Sequence, residues 1–303
     1  MTLRITRTVL ALALATPGLA GCGGGSHDSA TTASSTTSMG STPGTSRGAG
    51  SMAGMNMGAM DGDGTSATVS GYSLVKVTNP AKAGKAGQIS FVIDGPSGKP
   101  QTDFTLQQTK LLHLYVVRND LTGFQHIHPN LDVKTGLWTV PVTFAKPGPY
   151  RMVIEFEALT ADGTFDDRIL GTNFTVGGAK YVPAPYTPVT GKTSVDGYDV
   201  SLDETSTING PPLHLNITKG GVPVTDLQPY LESFAHVTGF REGDLKAVHV
   251  HPTEGPKKGD LSARGGPLLT LASVFTAVGK YRMFIEFQDA GQVHLTSLDV
   301  QVS

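Results

Sequence analysis

Tyr150-Arg-Met-Val-Ile-Glu-Phe156 returns almost unchanged as Tyr281-Arg-Met-Phe-Ile-Glu-Phe287. Tyr150, Met152, Ile154 and Phe156 occupy every second position, which is the side-chain period of a β-strand with one face on a core. A strand of this length and specificity, present twice, predicts two copies of one β-unit. Met152 and Met283 alternate with aromatic and branched residues, so they read as core residues first and as soft metal ligands second. Arg151 with Glu155, and Arg282 with Glu286, share the other strand face and read as surface ion pairs.

The same alternation recurs elsewhere in each unit. In the first unit it runs over 88–93, 112–117 and 138–144, with turn signals at Gly95-Pro-Ser-Gly-Lys-Pro100 and Pro147-Gly-Pro149. In the second it runs over 213–217, 235–240 and 268–275. Short strands at regular spacing between Gly/Pro turns predict a β-sandwich in each unit. One helical turn is conceivable over Leu227 to Phe234. Gly71-Tyr72 opens the first unit and Gly197-Tyr198 the second, so the sandwiches are expected at 71–178 and 197–303. Between them, 179–196 contains Tyr181-Val-Pro-Ala-Pro-Tyr-Thr-Pro188, a proline-rich connector expected to be extended and stiff.

The N-terminal part has a different character. Arg4 and Arg7 precede an apolar run over Val9 to Ala15, and Leu19-Ala20-Gly21-Cys22 has the form of a lipobox. Residues 1–21 therefore read as a lipoprotein signal peptide, with Cys22 as the lipidated residue. Residues 22–70 are rich in Gly, Ser, Thr, Ala and Met and poor in large apolar side chains. Such a segment buries too little to offset its ordering entropy, and is expected to be a disordered tether. The location implied is extracytoplasmic, with the membrane engaged through the lipid on Cys22. Cys22 is the one cysteine, so no disulfide can support the fold and no thiolate can bind a metal beyond it. The net charge is −2 without a basic cluster, which argues against nucleic acid as a partner.

The chemistry lies in the histidines. His113, His126, His128 and Pro129 are matched by His236, His249, His251 and Pro252, each displaced by 123 residues. The offset at Tyr150 and Tyr281 is 131, so the second unit carries extra residues in a longer loop, Thr253 to Gly266. A hairpin turn centred on Asn119-Asp120, or on Glu242-Gly243, sets His113 opposite His126 and His236 opposite His249. His128 and His251 lie two residues further on the same face. Three imidazoles so placed, with Cβ atoms about 5–8 Å apart, can converge on one ion. The opposite face carries Leu112, Leu114, Val116 and Ile127, or Val237, Val248 and Val250, as core candidates. The histidines thus fall on the less apolar face. His214 and His294 have no counterparts and read as background. Met52, Met55, Met57 and Met60 crowd one stretch of the tether; thioethers select Cu(I), so copper leads as the metal and zinc is the alternative.

Leu112-His-Leu-Tyr-Val-Val-Arg118 with Phe124-Gln-His-Ile-His-Pro129 resembles bacterial secreted or lipid-anchored proteins with tandem immunoglobulin-like domains carrying His-x-His-Pro. So do Ala235-His-Val237, Arg241-Glu-Gly-Asp-Leu245 and Val248-His-Val-His-Pro252. The His and Met donors on a β scaffold are also similar to periplasmic copper chaperones and cupredoxin-like proteins. The resemblance implies an all-β chain of two immunoglobulin-like or cupredoxin-like sandwiches. The absent cysteine argues against a blue-copper site. The reading is a metal-binding protein, for copper capture, buffering or delivery, with an unknown protein partner possible. A structural or adhesion module is the alternative, and a mononuclear metalloenzyme the third reading. No carboxylate pairs with the triplets as a general base and no Ser-His-Asp pattern occurs, so the chain reads as no enzyme.

Overall fold

The computed structural model describes residues 60–303; the expectations for 1–21, for Cys22, for most of the tether and for Met52, Met55 and Met57 lie outside them. Among the described residues there are nineteen β-strands and no helix. The first sandwich contains β1 (Thr68–Val69), β2 (Tyr72–Thr78), β3 (Ala86–Asp94), β4 (His113–Arg118), β5 (Gln125–Ile127), β6 (Asn130–Asp132), β7 (Leu137–Thr143), β8 (Gly148–Leu159) and β9 (Phe165–Val176). The second contains β10 (Lys192–Val195), β11 (Tyr198–Leu202), β12 (Thr205–Ser206), β13 (Leu213–Lys219), β14 (Val222–Pro223) and β15 (His236–Arg241). It continues through β16 (Ala247–Val250), β17 (Leu268–Leu271), β18 (Gly279–Asp289) and β19 (Gln292–Val302). The Leu227–Phe234 stretch makes a turn at Tyr230 and Ser233 instead of a helical one.

Each sandwich has an outer and an inner sheet. In the first, β1-β2-β3-β7-β6 faces β5-β4-β8-β9; in the second, β10-β11-β13-β14 with β17 on β13 faces β12-β19-β18-β15-β16. The repeated heptapeptides lie in β8 and β18. Met152 and Met283 are fully buried, each inside its own sandwich core, as the alternation requires. The first core packs Phe91 parallel to Trp138 at 6.3 Å between centroids, with Phe104 edge-on to Trp138 at 5.1 Å.

The central strands of the inner sheets do not face water. All six residues of β4 are buried, as are all four of β16. A third apolar cluster joins Tyr115, Val117, Leu121, Phe124, Val153 and Ile169 of the first sandwich to Phe240, Leu245, Ala247 and Phe284 of the second. Phe124 stacks on Phe284 at 4.3 Å and 7°. The strand face expected to be less apolar and open is therefore the surface on which the sandwiches meet. A face that alternates apolar and polar residues is ordinarily half-solvated; here the second sandwich covers it.

Two segments seal this contact. Residues 61–66, expected to be tether, run along β9: Ile169 N–H donates to Asp61 O at 2.9 Å and Gly171 N–H to Ser66 O at 2.7 Å. They also cross to the second sandwich, where Ala247 N–H donates to Asp63 O at 2.9 Å and Lys246 pairs with Asp63 at 3.1 Å. The polar chain holds by backbone pairing rather than by buried side chains, which composition does not register. The connector is pinned at both ends. Arg118 lies over the Tyr181 ring and Ala184 N–H donates to Asp120, while Arg282 lies over Tyr186 and donates to Thr187 O.

Candidate metal centre

The hairpin register differs from the expected one by two residues. Tyr115 is opposite His126 and Leu114 opposite Ile127; Thr238 is opposite His249 and Val237 opposite Val250. His113 thus comes level with His128, and His236 with His251. The turns are longer than the expected two-residue centres. Leu121 and Leu245 enter the left-handed region at φ 60° and 59°, and Asp120 and Asp244 accept from the backbone of Thr122 and Lys246. A shift by two keeps every side chain on its face, whereas a shift by one would have scattered the histidines.

His113, His126 and His128 form one group, and His236, His249 and His251 a second; in each, one ligand atom per residue lies within 4.8 Å of the others. In the first, His113 Nδ1 is 3.0 Å from His126 Nε2 and 3.2 Å from His128 Nε2. His113 Nε2 donates to the Gln107 carbonyl at 3.1 Å, so in the neutral ring Nδ1 carries a lone pair. His126 Nδ1 lies 2.6 Å from a Glu286 carboxylate oxygen. With Glu286 ionised this nitrogen donates, and His126 Nε2 also presents a lone pair. Lone pairs 3.0 Å apart repel unless a proton or a metal ion lies between them.

The second triplet repeats the plan. His236 Nε2 donates to the Tyr230 carbonyl at 2.8 Å, and His236 Nδ1 is 2.9 Å from His251 Nε2. His249 Nδ1 is 2.8 Å from Glu155, and His249 Nε2 is buried with no hydrogen-bond partner. Carbonyl and carboxylate acceptors on the far nitrogens fix ring tautomer and direction, which is how metal-ligating histidines are usually held. The donors present suit a borderline ion such as Cu(II) or Zn(II).

Burial works against protonation of four of these rings. It pushes His126 down to about 3, reinforced by His249, and His128 down to about 3, reinforced by His126 and Lys110. Burial, with the neighbouring imidazoles, also holds His113 and His236 well below 6.5. The two glutamates differ. Burial raises Glu286 to about 7. For Glu155 burial works in the same direction, but the charge and hydrogen bond of His249 outweigh it and bring the carboxyl down to about 2. Tyr115 makes the other difference: its hydroxyl donates to Glu155 at 3.0 Å, whereas its counterpart Thr238 has a buried hydroxyl without a partner.

These carboxylates correct two expectations. Glu155 and Glu286 are 6% and 7% exposed and pair with histidines of the opposite sandwich, not with Arg151 and Arg282 at the surface. Arg151 instead donates to Gly64 O at 2.7 Å and Arg282 to Asp299 at 2.9 Å. Each triplet does have a carboxylate beside it, on the outer nitrogen of its middle histidine. The signal was in the sequence, since Glu155 and Glu286 repeat at the spacing of the heptapeptide. What hid it was that the partners belong to different units. Met60 packs against the interdomain apolar cluster. His214 pairs with Asp203 in solvent and His294 with Asp196, apart from the triplets.

No curated protein matches the chain. Among solved structures, the three N-terminal domains of the bacteriophage RB49 outer capsid protein Hoc align at 11% identity, TM-score 0.20, over 77% of this chain and 70% of that one. MtrC from Shewanella baltica OS185 aligns at 7% identity, TM-score 0.25, over 76% and 69%. The chicken CNTN1 FN1-FN3 domains align at 6% identity, TM-score 0.20, over 77% and 65%. Alignments this loose add nothing to the fold read directly from the strands. A family model matches residues 67–166 and again residues 193–303, one match on each sandwich, and by these two matches the chain belongs to DUF8832, a domain of unknown function.

Proposed function

We propose that this chain is an extracytoplasmic, lipid-anchored metal-binding protein that captures, buffers or delivers copper, and that it is not an enzyme. The observation that carries the reading is the convergence of three imidazole nitrogens in each sandwich, with the far nitrogens of His113, His126, His236 and His249 tied to carbonyl and carboxylate acceptors. Metal ligation needs the deprotonated ring, and burial favours it for His113, His126, His128 and His236. The glutamates favour binding over catalysis, because they face the outer nitrogens and orient ligands rather than reaching toward a substrate. Met52, Met55 and Met57 favour copper over zinc, as thioethers would add a Cu(I) site. The lipid anchor rests on Leu19-Ala20-Gly21-Cys22.

The test is metal analysis of the soluble part, residues 23–303, purified without a histidine tag. Mass spectrometry should find bound metal, and titration should give two Cu(II) ions per chain through the two triplets. Zn(II) should compete more weakly. Removal of residues 52–60 should lower Cu(I) stoichiometry and leave Cu(II) uptake unchanged. No uptake of Cu(II), Zn(II) or Cu(I) above background would overturn the reading in favour of a structural module.

A further inference from the structure

The two triplets are not separate sites that happen to share a chain. The carboxylate on His126, in the first sandwich, is Glu286 of the second; the carboxylate on His249, in the second, is Glu155 of the first. Gln108 of the first sandwich also lies 3.0 Å from Nδ1 of His251. The rings themselves touch across the boundary. His126 is 5.8 Å from His236 and 6.3 Å from His249, and His113 is 6.3 Å from His249, between centroids. The arrangement is reciprocal, as the strand repeat would generate if the two inner sheets meet about a pseudo-twofold axis.

We propose that the six histidines form one interdomain metal unit, in which each sandwich supplies the positioning carboxylate for the other's ligand set. This rests on the metal-binding reading above. A sandwich separated from its neighbour would keep its three histidines but lose the acceptor that fixes its middle ring. It would also expose the triplet to water. Strong metal binding therefore requires docked sandwiches, and bound metal in turn holds them docked. The connector and residues 61–66 fit this, since both tie the sandwiches together without entering either triplet.

The experiment is a crossed titration with Cu(II) on the full soluble chain. His251→Ala leaves the first triplet as the site measured, and His128→Ala leaves the second. In the His251→Ala background, Glu286→Gln should weaken binding about 10–100-fold, the usual cost of losing an outer-shell partner, and Glu155→Gln by about threefold or less. In the His128→Ala background the order should reverse. The copper spectrum should shift only in the weakened pairings, which a general loss of packing would not produce. Phe284→Ala removes no ligand and no carboxylate, yet loosens the contact between sandwiches, and should weaken both sites. Uptake by the parent chain with no crossed pattern would overturn the shared unit and leave metal binding standing. An effect of each glutamate on its own sandwich's triplet would do the same. No uptake by the parent chain would overturn the metal reading, and the shared unit with it.

Discussion

Phe284→Ala should separate the unfolding of the two sandwiches. Phe284 is 7% exposed, stacks on Phe124 at 4.3 Å and meets Phe240 edge-on at 6.3 Å. It belongs to the interdomain cluster, which shares no residue with either sandwich's own core. Truncating a buried phenylalanine costs about 3–5 kcal/mol, and an aromatic pair adds about 0.5–1.5 kcal/mol beyond burial. Some of this is regained as the surrounding side chains relax, so a loss of about 3 kcal/mol is expected. The loss should come out of docking, because the clusters around Trp138 and around Met283 are untouched. The assay is urea unfolding of the metal-free chain by two probes. Trp138 is the one tryptophan and reports on the first sandwich; far-UV dichroism reports on both. In the parent chain the two transitions should coincide, and in the variant they should part. Coincident transitions in the variant, shifted by less than about 1 kcal/mol, would refute the argument that this cluster joins the sandwiches, since that is below the range for a buried phenylalanine.

Acid should destabilise the metal-free fold below about pH 6.5, the ordinary imidazole value. His126 and His128 sit at about 3 when folded, so between these limits the unfolded chain binds more protons and stability falls as pH falls. Glu286, raised to about 7, acts in the opposite direction, but one carboxyl does not offset the buried histidines. Urea midpoints equal at pH 7 and pH 4 would contradict this. Gly171→Ala should release residues 61–66, because a Cβ there would lie 2.0 Å from the Gly64 carbonyl oxygen. A loss of about 1–3 kcal/mol, typical of overpacking, and faster proteolysis near residue 64 are expected. Cys22→Ala should yield an unlipidated precursor or release the protein to the medium. Unchanged processing and membrane retention would end the lipobox reading.

The β-units, their repetition and the two histidine triplets were legible in the sequence. These are properties of period and spacing. Alternation by two in Tyr150–Phe156 puts Met152 and Ile154 inside whatever the neighbouring strands do. The invariant step from His113 to His236, from His126 to His249 and from His128 to His251 marks equivalent positions. Even a hairpin register wrong by two left the histidines on one face, because parity survives an even shift. What that face meets was settled only when the two inner sheets docked. Nothing local to β4 or β8 says whether Tyr115, Val117 and Glu155 point into water or into another sandwich, as half-polar alternation is compatible with both. Glu155 read as a surface partner of Arg151 because the two share a strand. Its actual partner, His249, is 94 residues away and arrives only when the sheets dock. Residues 61–66 were illegible for the same reason: they are held by backbone hydrogen bonds to β9, and every residue carries the same backbone.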